Sequence, residues 1–585
     1  TTSGNDGSQS KTWYDREGKE LRTDVKSFGG TIYSNTAYDT KGRLWKKYEP
    51  AASTAIPPDY TLYEYDTKNR LKKITTAGGK ITNIEYEGNR VTETTEGLIS
   101  WKETNSQGLL TTASDFGGNL TYTYYPNGQV KSITHPGGVT QMEYDLAGNQ
   151  TKLNDPDAGI TKYYHNAYGR ITAQVNSRGD STCYRYTSDG LLDYHTTGSE
   201  TTDYTYDNNK QLTHITSPGS VSRTYSYSTT GVKGRLIGIA ENIAGTNFST
   251  TFDYDGIGRL YKRTHPSGVI EENEYDSNSG LLEKVKAGTT VVWDIEAMNE
   301  YGQITSAKYG SNLAASMVYN KGLPQSATIG SLYHYSYSFD AKFGWPNSRT
   351  NNKHSLTENF GYENLRLDSI WGNSHANNGF AYENSGNLTR KNDLGLMEYD
   401  GYRLTDLYAK TANLVPVDSQ MINYTWFHQI KNIAEGDYSA SFTYNSDQQR
   451  CKMVVSQNGS TQYTRWYPGS RYMKEVNGSA TTQYTWLGGD AYTAPAVSVK
   501  VGTGAPVIYY VLRDYLGSIT HIVKSTDLTY QAYSFDAWGR RRSADDWSYT
   551  LDVNDQALFA GRGFTGHEHL PEFGLINMNG RLYDP

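Results

Sequence analysis

Cysteine is almost absent from this 585-residue sequence, which has Cys183 and Cys451 and no others. Nothing in their spacing brings the two together, so no disulfide is assigned, and both thiols read as small buried residues. Long apolar runs are lacking too, which excludes a helix that crosses a membrane. The opening "TTSGNDGSQS" has neither Met nor an apolar signal segment, and reads as a processed, engineered or incompletely resolved start. Charge of one sign is not in large excess: 55 Lys+Arg against 62 Asp+Glu leave a net −7. There is thus no basic stripe for nucleic acid and no polybasic membrane patch. No phosphate-binding Gly-Lys-Ser/Thr loop, nucleophile elbow or Ser/His/Asp order occurs. Consequently no catalytic, cofactor-binding or metal-ligating residue is assigned.

Aliphatic residues are also scarce, with hydrophobic residues at 36% and a mean hydropathy of −0.71. Taken alone, that would point to disorder. Aromatic residues contradict it, because Phe, Trp and Tyr make up 13% of the chain and Tyr occurs 51 times. Tyr favours strands, burying its ring while the hydroxyl reaches a partner. The chain therefore reads as folded, β-rich and wet inside.

A repeat supplies the architecture. Segments such as "AYDTKGRLWKK", "MEYDLAGNQTKL" and "FDYDGIGRLYKR" are variants of one unit. Tyr124, Tyr144, Tyr164, Tyr186 and Tyr206 recur every ~20 to 22 residues, a repeat period. Within a unit an alternating aromatic run ends at Asp or Asn, whose side chain accepts hydrogen bonds from amides just ahead. A later Gly or Asn then supplies positive φ. The repeat turns are assigned to Tyr38, Asp39, Gly42 and Arg43; to Tyr144, Asp145 and Gly148; and to Tyr254, Asp255, Gly258 and Arg259. A second alternating run follows and breaks at "HPGG", "SPGS" or "HPSG", so each unit is a hairpin and the chain is one long antiparallel sheet. No long segment has a helical period, and "WDIEAMNEYG" reads as strand and turn. "YEPAASTAIPPDYT" and "NLVPVDSQM" near Asn413 read as long loops.

A flat sheet of this length would expose its edges, so it should coil or close. The predicted fold class is all-β, a long antiparallel sheet of hairpins coiled into a hollow barrel or cocoon-like shell. About fifty strands of ~7 residues give a sheet of several thousand Å². Closed up, it could enclose on the order of ten thousand Å³, room for roughly one hundred residues of another chain.

The repeat resembles the YD repeat of Rhs proteins, and residues 506–585 resemble the Rhs repeat-associated core. The core motifs stand here as "RDYLGS" (Asp514, Leu516, Gly517, Ser518), "YSFDAWGRR" (Phe535, Asp536, Gly539), "GFTGHEHLPEFGL" (Phe564, Thr565, Gly566, Glu568, Gly574, Leu575) and "GRLYDP" (Arg581, Tyr583, Asp584, Pro585). The resemblance implies a YD-repeat shell over residues 1–505, closed by the core region 506–585. It further implies that the shell encloses a toxic C-terminal domain of its own protein, with a secretion or delivery apparatus as a further partner. The setting would be secreted or cell-surface, with extracellular delivery in bacterial antagonism. In the family, self-cleavage motifs follow the Asp-Pro, so this segment is expected to lack both the cleavage site and the toxin, and to have no enzyme activity.

Blander and sharper readings compete at three places. Asp584-Pro585 is a structural turn or a remnant of autoproteolytic machinery. His567, Glu568 and His569 invite a metal but lack the spacing that puts two imidazoles on one helical face. Asn154 to Gly159 faintly resembles a calcium loop without its later ligands, and reads as a Pro-containing turn. The many Tyr, Asn and Trp side chains pair across strands or bind glycan, so a cell-surface adhesion or glycan-binding protein is the alternative function. A glycosidase is a weaker third, since it needs paired carboxylates in a cleft.

Overall fold

The computed structural model describes residues 1–373, 377–409, 419–549 and 557–585. Those residues form 55 strands and three three-residue 3-10 turns, so the all-β expectation holds. The first 39 strands make one sheet from Thr2 to Ala409, and eleven more run from Met421 to Ala532. Each strand pairs antiparallel with its neighbour in sequence, as the hairpin repeat requires. "WDIEAMNEYG" is strand to Met298 followed by a turn, and residues 49–59 are the expected loop. The loop expected at "NLVPVDSQM" falls largely outside the described residues.

Why the unit has its particular residues becomes clear at the turns. Asp39 accepts hydrogen bonds from the amides of Lys41 and Arg43, both at 2.9 Å, while Gly42 takes φ 73°. Its other oxygen accepts from the Arg43 guanidinium. That guanidinium also lies 4.3 Å from the ring centroid of Tyr65, the repeat tyrosine of the next unit. The Tyr65 hydroxyl in turn donates to the carbonyl of Leu44, the residue after Arg43, at 2.7 Å. Asp255 and Arg259 repeat the arrangement with Tyr275, whose hydroxyl donates to Leu260. The consensus Tyr-Asp-x-x-Gly-Arg-Leu thus ties each turn to the next one.

The strand end that carries the tyrosine also bends the sheet. Strand register shifts immediately before Tyr38, Tyr65, Tyr124, Tyr144 and Tyr254. A bulge increases local twist, and repeating it at the same end of successive hairpins coils the sheet to one side.

Contacts between distant hairpins measure the coil. Tyr301 meets Glu49, 252 residues away, and Trp426 meets Asn176 at a separation of 250. Farther on the separation falls to 224 for Arg223 with Asp447, 200 for Glu271 with Arg471 and 184 for Glu358 with Arg542. The sheet is therefore a spiral that tightens toward its C-terminal end. Its wide turns hold about 25 strands at ~4.8 Å spacing, a circumference of about 120 Å and a diameter of about 40 Å.

The spiral is hollow. Its accessible surface is 30113 Å², whereas a solid globule of this mass exposes about 21,000 Å². A wall wetted on both faces accounts for the excess. Ahead of Val285 the buried apolar side chains are Ile84, Ile215, Val221, Ile243 and Phe248; the dense core lies after it. The expectation of two buried thiols is half right. Cys451 is buried, but Cys183 is exposed and both are free, because Cys183 lies on the opposite face of its strand from the buried Thr182.

Candidate functional site

Each hairpin pair has two kinds of turn, one at each edge of the coiled ribbon. Where the ribbon passes over itself, the Gly- and Pro-rich turns of the earlier coil meet Asp-type turns of the later one. Gly78 sits against the Ala341 carbonyl so closely that a Cβ there would approach it to 2.0 Å. Gly137 packs under the ring of Tyr402, which stacks on His135 with centroids 6.1 Å apart. Arg178 donates to the Thr425 carbonyl at 2.6 Å. Ion pairs join Lys321 to Asp59 at 2.8 Å and Lys342 to Glu96 at 2.5 Å, all four side chains keeping solvent contact.

Past residue 265 the same seam is buried. Glu271 accepts from Arg471 and from the Gly488 amide, both on the later coil, and pairs with His265 and Arg263 on its own. Burial alone would raise its carboxyl; His265, Arg471 and Arg263 outweigh that and hold it at about 2. Glu358 ties Arg349 at 2.7 Å to Arg542 at 2.8 Å, with all three side chains at or below 7% exposure. An apolar cluster spans both coils here, joining Val285, Trp293 and Tyr333 to Leu487, Leu512 and Trp547.

The core motifs turn out to be two more copies of the repeat turn, carried inside. Asp514 accepts from the Leu516 and Ser518 amides at 3.0 and 2.8 Å, with Gly517 at φ 85°. Leu516 is 41% exposed, whereas Ser518 is buried and accepts from the Thr565 amide. Asp536 accepts from the Trp538 and Arg540 amides at 2.9 Å and from the Tyr549 hydroxyl. Gly539, at φ 95°, faces Phe564, which a Cβ would meet at 2.6 Å. Gly566 presents its carbonyl to Arg562. Gly574, at φ 63°, ends a 3-10 turn and launches Leu575–Asn577. Tyr583 donates to the Trp538 carbonyl at 2.6 Å, and the carbonyl of Arg581 accepts from Met578. Asp584 borders a cavity of about 380 Å³ with Gln420, Tyr424 and His428.

Glu568 is the centre of this end. Its oxygens accept from Arg450, from Arg465 at 2.7 Å and from the Tyr467 hydroxyl at 2.8 Å, and it is 1% exposed. Desolvation would raise its carboxyl; Arg450, Arg465 and Arg562 bring it down to about 2. Its flanking residues are engaged as well: His569 Nε2 accepts from the Phe564 amide and His567 Nδ1 bonds Thr565 Oγ1. Among the described residues no group of three or more His, Cys, Asp or Glu side chains converges as a metal site. At Asn154–Gly159, Asp155 caps its own turn by accepting from the Asp157 and Ala158 amides.

Sequence reasoning missed Glu271, Glu358, Arg349, Arg450, Arg465, Arg471 and Arg542. Cross-strand partners such as Arg349 and Glu358 lie nine residues apart, but no local signal marks the cross-coil ties, whose ends lie 103 to 200 residues apart. What the arrangement does chemically is mechanical: it fastens one coil of a wall to the next.

Comparison with known proteins agrees with this geometry. The RHS Repeat family description matches residues 124–160. Double-stranded DNA deaminase toxin A of Burkholderia cenocepacia (strain H111) is 24% identical over 328 residues, which cover 50% of this chain and 21% of that protein. A crystal structure of TcdB2-TccC3 superposes on 99% of this chain and 37% of its own, with 15% identity and a TM-score of 0.83. The Photorhabdus luminescens Tc holotoxin pore, with a point mutation in TccC3, covers 98% of this chain and 36% of its own at TM-score 0.78 and 14% identity. This chain thus spans about a fifth to just over a third of these relatives. Residues 124–160 thus match the RHS Repeat, and the chain as a whole shares the fold of the matching part of the TcdB2-TccC3 structures.

Proposed function

We propose that this chain is the containment shell of a polymorphic toxin, with residues 1–505 as wall and 506–585 as its closing unit. In its full-length protein it encloses a C-terminal toxin domain for secretion and extracellular delivery in bacterial antagonism. The observation that carries this reading is the hollow, tightening spiral, with about half as much surface again as a solid protein of its mass. A wall poor in apolar groups would hold a cargo without offering it a core on which to fold. Support also comes from the toxin named among its relatives. No residue is assigned a catalytic role, and the self-cleavage implied by the family resemblance belongs to residues after Pro585.

The test is expression of the whole gene, followed by intact mass under denaturing conditions and by limited proteolysis under native ones. A shell fragment ending just past Pro585, with a separate polypeptide that resists protease until the shell is unfolded, supports containment. A single uncleaved chain whose C-terminal part is digested at the rate of the free domain counts against it. Exposed Trp13, Tyr14 and Trp45 favour a second reading, glycan binding on the wall. Loss of a glycan-array signal in Trp45→Ala would support that alternative.

A further inference from the structure

The seam has two zones of different build, and we propose that the early zone is the line along which the shell parts while the late zone stays shut. The early zone joins the hairpins between Glu49 and Arg223 to those between Tyr301 and Asp447. Its cross-coil ties are solvent-exposed pairs and single hydrogen bonds: Lys321 with Asp59 and the Ala77 carbonyl, Lys342 with Glu96, Arg178 with the Thr425 carbonyl, and Arg223 with Asp447. Glycine turns provide the close approach, and the side chains that meet there are isolated pairs, such as Tyr402 on His135 and Trp426 on His195, rather than one continuous cluster. Two cavities lie in this zone. One, of about 370 Å³, sits between residues 76–80 and 320–342, and one of about 210 Å³ sits between His195 and Trp426.

The late zone is bound by buried groups. Glu271 and Glu358 cross it with their carboxylates 1–2% exposed, Arg542 is fully buried and Arg471 31% exposed, and the Val285 to Trp547 cluster fills it. Exposed pairs are screened by salt and buried ones much less, so ionic strength acts on one zone and not on the other. Parting would leave every strand ladder intact, because the ladders run along the ribbon and the seam runs between its turns. The ribbon would loosen as a coil loosens, without unfolding. That it would release a cargo rests on the containment reading; that it parts does not.

Hydrogen exchange on this chain, read by mass spectrometry, tests the proposal. Between about 0.05 M and about 1 M salt, amides in hairpins 76–80, 320–323 and 340–344 should exchange at least about tenfold faster, while those in 265–269 and 485–489 keep their protection. Lys321→Glu should reproduce the low-protection pattern at low salt, and Asp59→Lys with Lys321→Glu should restore it. Equal acceleration in both zones, or none in either, overturns the proposal. A failure here leaves the proteolysis test of containment untouched, and the reverse also holds.

Discussion

Asp39 in the early wall and Asp514 near the closure build the same turn, each accepting two backbone amides across a glycine of positive φ. Their surroundings push the carboxyls in opposite directions. The Arg43 guanidinium and the turn amides hold Asp39 below the usual carboxylate value. Burial lifts Asp514 above it, against the pull of Arg349 and its own turn amides. A turn that caps itself in water therefore becomes, when carried indoors, a charge that needs help from a distant strand. The early wall is held by many weak local ties, and the closure by a few costly distant ones that must all be satisfied.

The sharpest way to break this contrast is Glu568→Ala, which leaves Arg450 buried without its carboxylate and Arg465 with Glu475 alone. Such a loss costs about 3–5 kcal/mol. The urea midpoint of the closure, followed by exchange at residues 450–470, should fall far more than that of the wall. An equal response in both regions would mean that the closure is not a separate zone.

Acid probes the same groups without mutation. Glu271 and Glu568 titrate near 2 in the fold and near the ordinary 4.5 when unfolded. Their stabilisation is complete above 4.5 and fades as pH falls toward 2, by about 3 kcal/mol per group. Asp514 has the opposite sign, since the fold favours its protonated form and loses stability as pH rises through its raised value. Thermal melts at intervals from pH 6 to pH 2 should show the closure loosening over that range.

Glycine substitution sharpens the comparison next. Gly539→Ala combines a left-handed backbone with a Cβ driven into Phe564, about 2–4 kcal/mol together. Gly42→Ala shares the backbone cost, but its Cβ meets the movable end of Lys19, so about 1–2 kcal/mol is expected. Matching midpoint shifts in the two variants would show that burial of the turn is immaterial.

The smallest effect belongs to the tie between units. Tyr254→Phe removes the hydroxyl bond to the Leu236 carbonyl, at 2.8 Å, and should cost about 0.5–1.5 kcal/mol. Exchange should quicken at the neighbouring turns 228–236 and 255–259 and nowhere else. A shell-wide response would instead assign the repeat tyrosine a global role.

Much of this was legible because it is local. Asp39, Gly42 and their counterparts act within five residues, and the Tyr65 hydroxyl reaches only one unit back. The closing motifs were legible as a set, yet their likeness to the repeat turn shows only when Asp514 and Asp536 are seen accepting the same amides. Cys183 was misjudged because a thiol's burial depends on which face of its strand the coil covers. Glu271 and Glu358 were invisible for the same reason: each looks like one more charge facing an arginine across its hairpin until the coil brings a second, distant arginine to it.

The sequence by itself determined the hairpin, its turn and its period, since these arise from neighbours a few residues apart. Only the tertiary structure decided which turns lie in water and which inside. That choice follows from the length of one coil, about 250 residues in the early wall and fewer than 200 toward the C-terminal end. A sum of small twists over some twenty strands sets that length, and no single residue encodes it.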